Sequence, residues 1–116
     1  MPIALIVVAG LLGLAALGSA AGKLRRVPSV IESMHSLGIK DSQIPLLAVL
    51  ELLGAAGLLV GIWFKPLGVL SAICLALYFI IAAISHARVG HSVKEMAPAI
   101  MLALVSIITV ALEFAR

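Results

Sequence analysis

Residues 44–64, IPLLAVLELLGAAGLLVGIWF, form an apolar run with one acid, Glu51, well inside it. A run of about 20 mostly apolar residues is long enough to cross the hydrocarbon core of a bilayer as a helix. A carboxylate near the bilayer centre costs about 3 kcal/mol on insertion scales, and it persists by facing a partner helix or a wet cavity, or by staying protonated. We therefore expect the rest of the chain to supply helices that cover Glu51.

The composition indicates a membrane environment. Of the 116 residues, 64% are hydrophobic and 11% are charged, whereas a soluble domain carries about 25% charged residues. A soluble fold of this size has too small an interior for so much apolar surface, so lipid is the expected solvent. The formal charge of +3 arises from eight basic and five acidic residues, which is too sparse for a nucleic-acid partner. The single cysteine, Cys74, excludes an intramolecular disulfide and a multi-cysteine metal site.

Four apolar runs predict four spanning helices in a single domain that covers residues 1–116. The predicted spans are 3–22, 44–64, 67–85 and 97–114. No Lys or Arg precedes the first run, which is longer than the apolar region of a signal peptide, so we expect a retained helix. The short WFKP turn makes the second and third helices antiparallel neighbours. It places Trp63 at the membrane interface and Pro66 in the first turn of a helix.

The first long connection is predicted to contain a short amphipathic helix. Residues 29–32, SVIE, match a capping box at its start, and Gly38 supplies a stop. Residues 92–95, SVKE, repeat the capping pattern before the fourth span. Within this first long connection, apolar residues recur at helical spacing: Val27, Val30, Ile31, Met34 and Leu37. The predicted fold class is all-α, an integral membrane four-helix bundle with a short amphipathic helix between the first and second spans.

The basic residues predict the orientation. Six lie in the two longer connections, namely Lys23, Arg25, Arg26, Lys40, Arg88 and Lys94. Only Lys65 and Arg116 lie on the other side. Basic residues of short loops favour the cytoplasm. We therefore expect a multi-pass protein of the cell membrane with its termini outside and its longer connections in the cytoplasm.

Small and polar residues predict the helix faces that meet. Membrane helices pack through small residues and interhelical hydrogen bonds. The candidate packing glycines are Gly18, Gly22, Gly54, Gly57 and Gly61. Two polar stripes are expected to face inward and to form a narrow central cavity, with Glu51 at mid-depth. The first contains Ser71, Cys74, Tyr78 and Ser85, and the second contains Ser106, Thr109 and Glu113.

Glu51 and Lys23 are the principal site candidates. Glu51 is either a carboxyl that locks helices together through Tyr78 or a serine, or a proton carrier or ligand anchor in the cavity. A lipid-facing acid is the third alternative. For Lys23, the first interpretation is a cation at a helix C-terminus that snorkels to lipid phosphates. The alternatives are that it grips an anionic ligand or pairs with Glu51.

Two further candidates are His86 and Tyr78. His86 is either a structural or interfacial histidine, a proton or quinone-headgroup contact, or a metal ligand. Its spacing of five from His91 fits one helix face poorly, so we expect no metal site. Tyr78 is the only tyrosine, and its hydroxyl needs a partner within the apolar interior. Cys74 is expected to be a small residue of the core. No GxSxG, HExxH or phosphate-loop motif occurs, so independent catalysis is not predicted.

GKL at 22–24, LELLGAAGLLVG at 50–61 and AAISHARVGH at 82–91 resemble the DoxX-like family of small four-helix membrane proteins. The sequence APA at 97–99 also agrees, so the resemblance covers nearly the whole chain. One departure is His91, where the family pattern usually has an acid after Arg-x-Gly. The recurring positions of the family correspond here to Lys23, Glu51, Gly54 and His86.

The resemblance implies a link to quinone chemistry. Founding members are associated with thiosulfate:quinone oxidoreductase, others with membrane oxidoreductase complexes in redox stress, and animal relatives act as assembly factors. We therefore expect a non-catalytic accessory subunit of a quinone-linked membrane oxidoreductase system. The alternative is a membrane-protein assembly factor or structural subunit of a larger complex. A small channel or transporter is less favoured, because one acid and a thin polar stripe make a poor conduction path.

These hypotheses specify the expected ligands and partners. No intrinsic cofactor is expected, and a quinone or lipid is expected in a cavity near Glu51. Tyr78 would line that cavity, with Lys23 and His86 at its mouth. Membrane lipids, together with a protein partner or a second copy of the chain, are the expected partners.

Overall fold

The computed structural model describes residues 3–91 and 93–116, except for the side chain of Glu95. Within these ranges the chain is all-helical and contains no strand, which confirms the predicted helical class. The five helices are α1 (Ile3–Leu24), α2 (Pro28–Ser36), α3 (Ile44–Val60), α4 (Lys65–Arg88) and α5 (Val93–Ala115).

Three helical segments are long and apolar enough to cross a membrane. They are Ile3–Leu24, Lys65–Arg88 and Met96–Ala115. The fourth apolar helix, α3, has 17 residues, fewer than the predicted run of 44–64. It ends at Val60 because Gly61, Ile62 and Trp63 turn the chain towards α4.

The four long helices contact one another in a closed ring, in which α1 and α4 each pack against both α3 and α5. The buried side chains at its centre are mostly small or aliphatic: Leu5, Ala9, Leu12, Ala16, Ala55, Leu58, Ala72, Leu75, Phe79 and Ala103. The short helix α2 has no buried residue and lies against α1. It therefore forms a separate cover at one end of the ring.

The helices α3 and α4 approach each other most closely near their connecting turn. A Cβ atom built on Gly61 would collide with the backbone of Gly68, and one on Gly54 would lie 2.6 Å from Leu75. A Cβ on Gly57 would collide with Ser71. Gly54 and Gly57 of α3, and Gly61 directly after it, thus lie against α4. Pro66 lies in the first turn of α4 as predicted.

The predicted capping box at the start of α2 is wrong. The N-cap residue is Val27, Pro28 is the first helical residue, and no side chain caps the helix. Proline is pre-organised for the first helical position, so the helix begins before Ser29 can act as a cap. The second proposed capping box rests on Ser92 and the Glu95 side chain, which lie outside the described residues.

The predicted stop at Gly38 is confirmed. Gly38 has φ +81°, and its amide donates to the carbonyl of His35 while the next amide, of Ile39, donates to Met34. This is the Schellman arrangement that ends many helices with a left-handed residue. Gly90, at φ +77°, ends α4 with the same pattern of hydrogen bonds.

The described residues of the two polar stripes do not all face one shared space. Ser106 and Thr109 are buried, but their hydroxyls donate to carbonyls one turn earlier in α5. Cys74 is exposed, so its expected place in the core is wrong. The face of α4 that packs inward is instead formed by Ala72, Leu75, Ala76 and Phe79 among others.

Glu113, at the end of the α5 stripe, belongs to a second ion pair near the α3–α4 turn. Its Oε2 lies 2.8 Å from Nη2 of Arg116. The guanidinium of Arg116 donates to the carbonyls of Gly61 and Ile62. These carbonyls lie at the C-terminus of α3, where a cation is favourable. Arg116 therefore ties the end of α5 to the turn.

Candidate functional site

The centre of the candidate site is a buried ion pair between Lys23 and Glu51. Lys23 lies in the last turn of α1 and Glu51 in the middle of α3. The Lys23 Nζ atom is 2.5 Å from Oε1 of Glu51, with side-chain exposures of 8% and 0%. Nζ also donates to the hydroxyl of Ser19, one turn earlier, at 2.9 Å. Two of the three ammonium donors are thus used within the protein.

The geometry overturns the snorkelling interpretation of Lys23. Its side chain continues the buried face of α1, which contains Ala9, Ala16 and Ala20. These residues and Lys23 recur at spacings of three, four and seven, which places them on one side of a helix. That periodicity is the signal in the sequence that could have indicated the inward direction of Lys23, although it did not enter the prediction made from the sequence. Pairing with Glu51 was among the alternatives, and it is the one observed.

Tyr78 of α4 completes the cluster. Its ring centroid is 6.0 Å from Nζ of Lys23, and its hydroxyl faces Glu51 and reaches the carbonyl of Leu47 at 3.4 Å. Among the described residues, the second carboxylate oxygen of Glu51 has no hydrogen-bond partner. The cluster therefore joins α1, α3 and α4 through polar contacts in an otherwise apolar interior.

A cavity of about 700 Å³ lies beside this cluster, between α2 and the ends of the long helices. This volume falls within the range of small-molecule sites. The polar residues of its lining are Ser19, Lys23, Ser29, Ser33, Tyr78, Ser85, His86 and Lys94. Most of the remaining lining is apolar, with Met34 from α2, Leu47 from α3, Phe79 from α4 and Leu102 from α5. Glu51 is fully buried and is not part of the lining.

Hydrogen bonds hold α2 over the cavity. His86 is 8% exposed, and its Nδ1 lies 2.6 Å from Nδ1 of His91. The Nε2 atom of His91 lies 2.9 Å from the hydroxyl of Ser36, the last residue of α2. This chain of contacts links the C-terminus of α4 to that of α2. His86 is thus both part of the lining and a support for its cover.

An exposed cluster fastens the two ends of the first connection. Asp41 accepts from Nη2 of Arg26 at 3.1 Å, and Nε2 of His35 lies 2.6 Å from the same carboxylate oxygen. The hydrogen bond with His35, and then that with Arg26, lower the pKa of Asp41 below its usual value of 3.8. Arg26 itself adopts φ +55° at the C-terminus of α1, a conformation that costs a non-glycine residue about 1–2 kcal/mol.

Two of the candidate packing glycines lie away from close contacts. Gly18 is exposed, and a Cβ atom there would meet no other atom within 4 Å. At Gly22 the nearest atom would be Cγ2 of Val30, at 3.6 Å. The described residues contain no group of three or more His, Cys, Asp or Glu side chains placed to hold a metal ion.

Most of the chain matches a known protein family. A model of the DoxX-like family matches residues 7–108. The chain belongs to the DoxX-like family. No curated protein and no solved structure shows significant similarity to it. Together with three helices that are long and apolar enough to cross a bilayer, membership of the DoxX-like family indicates a small membrane protein.

Proposed function

We propose that this DoxX-like protein is a multi-pass protein of the cell membrane, an integral membrane four-helix bundle formed by α1, α3, α4 and α5. The closed ring of contacts supports this architecture. So do the large exposed apolar side chains on the outer face of α3, including Leu46, Val49 and Leu53. The 17 residues of α3 span roughly 26 Å at 1.5 Å per residue, slightly less than the hydrocarbon core of about 30 Å. The residues of the α3–α4 turn supply the remaining length needed to cross the hydrocarbon core.

In this proposal the termini lie outside and α2 faces the cytoplasm. The six basic residues in the longer connections support that orientation. Trp63, which is 82% exposed in the α3–α4 turn, suits the interface at the opposite surface. The helix α2 then lies on the cytoplasmic surface, as expected of an amphipathic helix with no buried residue.

We infer that the protein holds an amphiphilic molecule, a quinone or a lipid, and acts as a non-catalytic accessory subunit of a quinone-linked membrane oxidoreductase system. The observation that carries this proposal is the cavity beside Lys23, whose lining is mostly apolar and includes eight polar residues. Binding sites for small molecules have this composition. The family implies the redox link, and the cavity supports a role in holding the molecule rather than transforming it.

Native mass spectrometry of the protein, extracted gently from its own membrane, tests the proposal. We expect a retained small molecule of quinone or lipid mass. Filling the cavity with Ala99→Phe should release it, since Ala99 is a small lining residue. Leu104→Phe is the matched control, because Leu104 is exposed on the same helix and lies outside the lining. If the native protein retains no molecule of quinone or lipid mass, the proposal is refuted.

The second candidate is an assembly factor or structural subunit of a larger membrane complex. The exposed Gly18 favours it, because the space around this residue would let the backbone of another helix approach closely. Extraction in a mild detergent followed by native mass spectrometry separates the candidates. A stoichiometric protein subunit that is lost in Gly18→Leu would support the assembly function, whereas an unaffected monomer would count against it.

A further inference from the structure

We propose that the cavity binds an anionic phospholipid of the surrounding leaflet, with the phosphate beside Lys23 and Lys94 and an acyl chain against the apolar wall. This inference rests on the proposed function and narrows its ligand from a quinone or lipid to a negatively charged lipid. Three sources of positive potential surround one mostly apolar space, and Lys23 contributes to two of them.

The first source is the pair of lysines in the lining. Among the described residues, no acid lines the cavity, whereas Lys23 and Lys94 do. Glu51 neutralises the charge of Lys23 through their ion pair, but Glu51 itself is not part of the lining. Lys94 lies in the first turn of α5 and is exposed. The net charge presented by the described lining is therefore positive.

The second source is the remaining hydrogen-bonding capacity of Lys23. An ammonium group has three donors, and the described contacts of Lys23 use two of them, with Ser19 and Glu51. Because Lys23 lines the cavity and is 7% exposed, its third donor is available to an acceptor within the cavity. A charged donor in such a dry setting strengthens a hydrogen bond to a phosphate oxygen.

The third source is the start of α2. Ser29 and Val30, in its first turn, line the cavity. The N-terminus carries no side-chain cap and no acid in its first turn. Pro28 has no amide hydrogen and the amides of Val30 and Ile31 donate to the carbonyl of Val27. The Ser29 amide and the positive end of the helix dipole are therefore what α2 offers to an anion in the cavity. An uncapped helix start beside a buried lysine is the combination expected of a phosphate site.

The apolar part of the cavity distinguishes a lipid from a free anion. Met34 of α2 and Leu37, the residue after that helix, line the same space as apolar residues of the long helices, namely Leu47, Phe79 and Leu102. Such a wall binds an alkyl chain but contributes nothing to the binding of inorganic phosphate. A neutral quinone would use the apolar wall and leave the positive groups without a charge partner. An anionic lipid pairs its phosphate with the positive groups and packs an acyl chain against the apolar wall.

The experiment measures binding by native mass spectrometry of the protein in a neutral detergent. The protein is titrated with phosphatidylglycerol, phosphatidylcholine of the same acyl chains, a short-chain ubiquinone analogue and inorganic phosphate. We expect phosphatidylglycerol to bind at least tenfold more tightly than phosphatidylcholine. Lys94→Gln should weaken phosphatidylglycerol binding about fivefold, the factor expected for one lysine near an anionic lipid. Lys40→Gln, which removes an equally exposed lysine outside the lining, is the matched control and should not change it.

The paired substitution Lys23→Met with Glu51→Leu removes the buried ion pair without leaving a charge alone, and it should abolish the preference for phosphatidylglycerol. Should that variant fold poorly, the lipid series and Lys94→Gln decide the outcome.

Equal binding of the two phospholipids, or displacement by the ubiquinone analogue at equal concentration, would overturn this inference and leave the proposed function standing. Displacement by phosphate at equal concentration would show a site for free anions and also overturn it. Binding of no amphiphile at all would refute the proposed function itself.

Discussion

Lys23 Nζ and Glu51 Oε1 lie 2.5 Å apart across the α1–α3 interface, and both side chains are buried. Each residue alone would place a charge in an apolar interior, so neither is stable there without the other. A buried pair is weak evidence of net stability, since apolar residues of the same size often stabilise as well, whereas loss of one partner is costly. The pair therefore specifies how α1 and α3 are rotated against each other and where Lys23 lies in the cavity.

The first prediction concerns this pair. Lys23→Met should destabilise the protein by about 3–5 kcal/mol, because Glu51 is left as an uncompensated buried charge. Lys23→Met combined with Glu51→Leu should recover most of that loss. Thermal or SDS unfolding in detergent, followed by circular dichroism, measures both. A single variant as stable as the native protein would mean that Lys23 does not pair with Glu51 in solution.

The second prediction concerns the contact between Gly61 and Gly68. Gly61→Ala should destabilise the protein by about 1–3 kcal/mol, since the new methyl group meets the backbone of α4 rather than a flexible side chain. Gly18→Ala is the matched control. It adds a methyl group in open space and should be neutral or stabilising by up to about 1 kcal/mol, the difference in helix propensity. Equal effects of the two substitutions would contradict the packing of α3 on α4.

The third prediction is a pH dependence at the exposed cluster of Asp41, Arg26 and His35. Because its pKa is lowered in the folded protein, Asp41 contributes stability that is present above pH 3.8 and is lost as the pH falls through the lower, folded-state value. NMR titration of the Asp41 carboxyl should give a midpoint below 3.8. His35→Gln should raise that midpoint more than Arg26→Gln, since the hydrogen bond with His35 is the larger cause.

Salt provides the control for this titration. Exposed ion pairs are screened at an ionic strength of about 1 M, so the midpoint of Asp41 should move towards its ordinary value in high salt. A midpoint at or above 3.8 in low salt would show that the cluster does not form.

The sequence predicts the long helices well and their rotation poorly. Apolar runs and the residues Pro66 and Gly38 specify where chain segments lie, through propensities that act locally. Rotation depends on which face packs, and a helix that is apolar on all sides gives little periodic signal. On α4 the polar stripe of Ser71, Cys74, Tyr78 and Ser85 is rotated by roughly 100° from the mean direction of the buried residues, at 100° per residue. This rotation is why Cys74 is exposed.

The ion pair shows the same difference between what local sequence patterns predict and what only helix packing determines. Glu51 stands out in the sequence because an acid in an apolar run needs a partner. Its partner lies 28 residues away, beyond the reach of any local spacing rule. The sequence therefore named the candidate residues of the site. The pairing of Lys23 with Glu51, and the cavity at the α2 end, became visible only from the packing of the helices.

The fourth prediction tests the outward direction of Cys74, and with it the rotation of α4. A nitroxide label on this single cysteine in reconstituted bilayers should collide readily with oxygen, which concentrates in the hydrocarbon core, and poorly with a water-soluble nickel complex. The matched control is Ala72→Cys combined with Cys74→Ala. Ala72 is two residues away and fully buried, so its label should be shielded from both reagents or should disturb packing. Strong shielding of the label at Cys74 would instead mean that α4 turns this residue towards another helix. In that case a second copy of the chain or a partner covers the face that is exposed in the monomer.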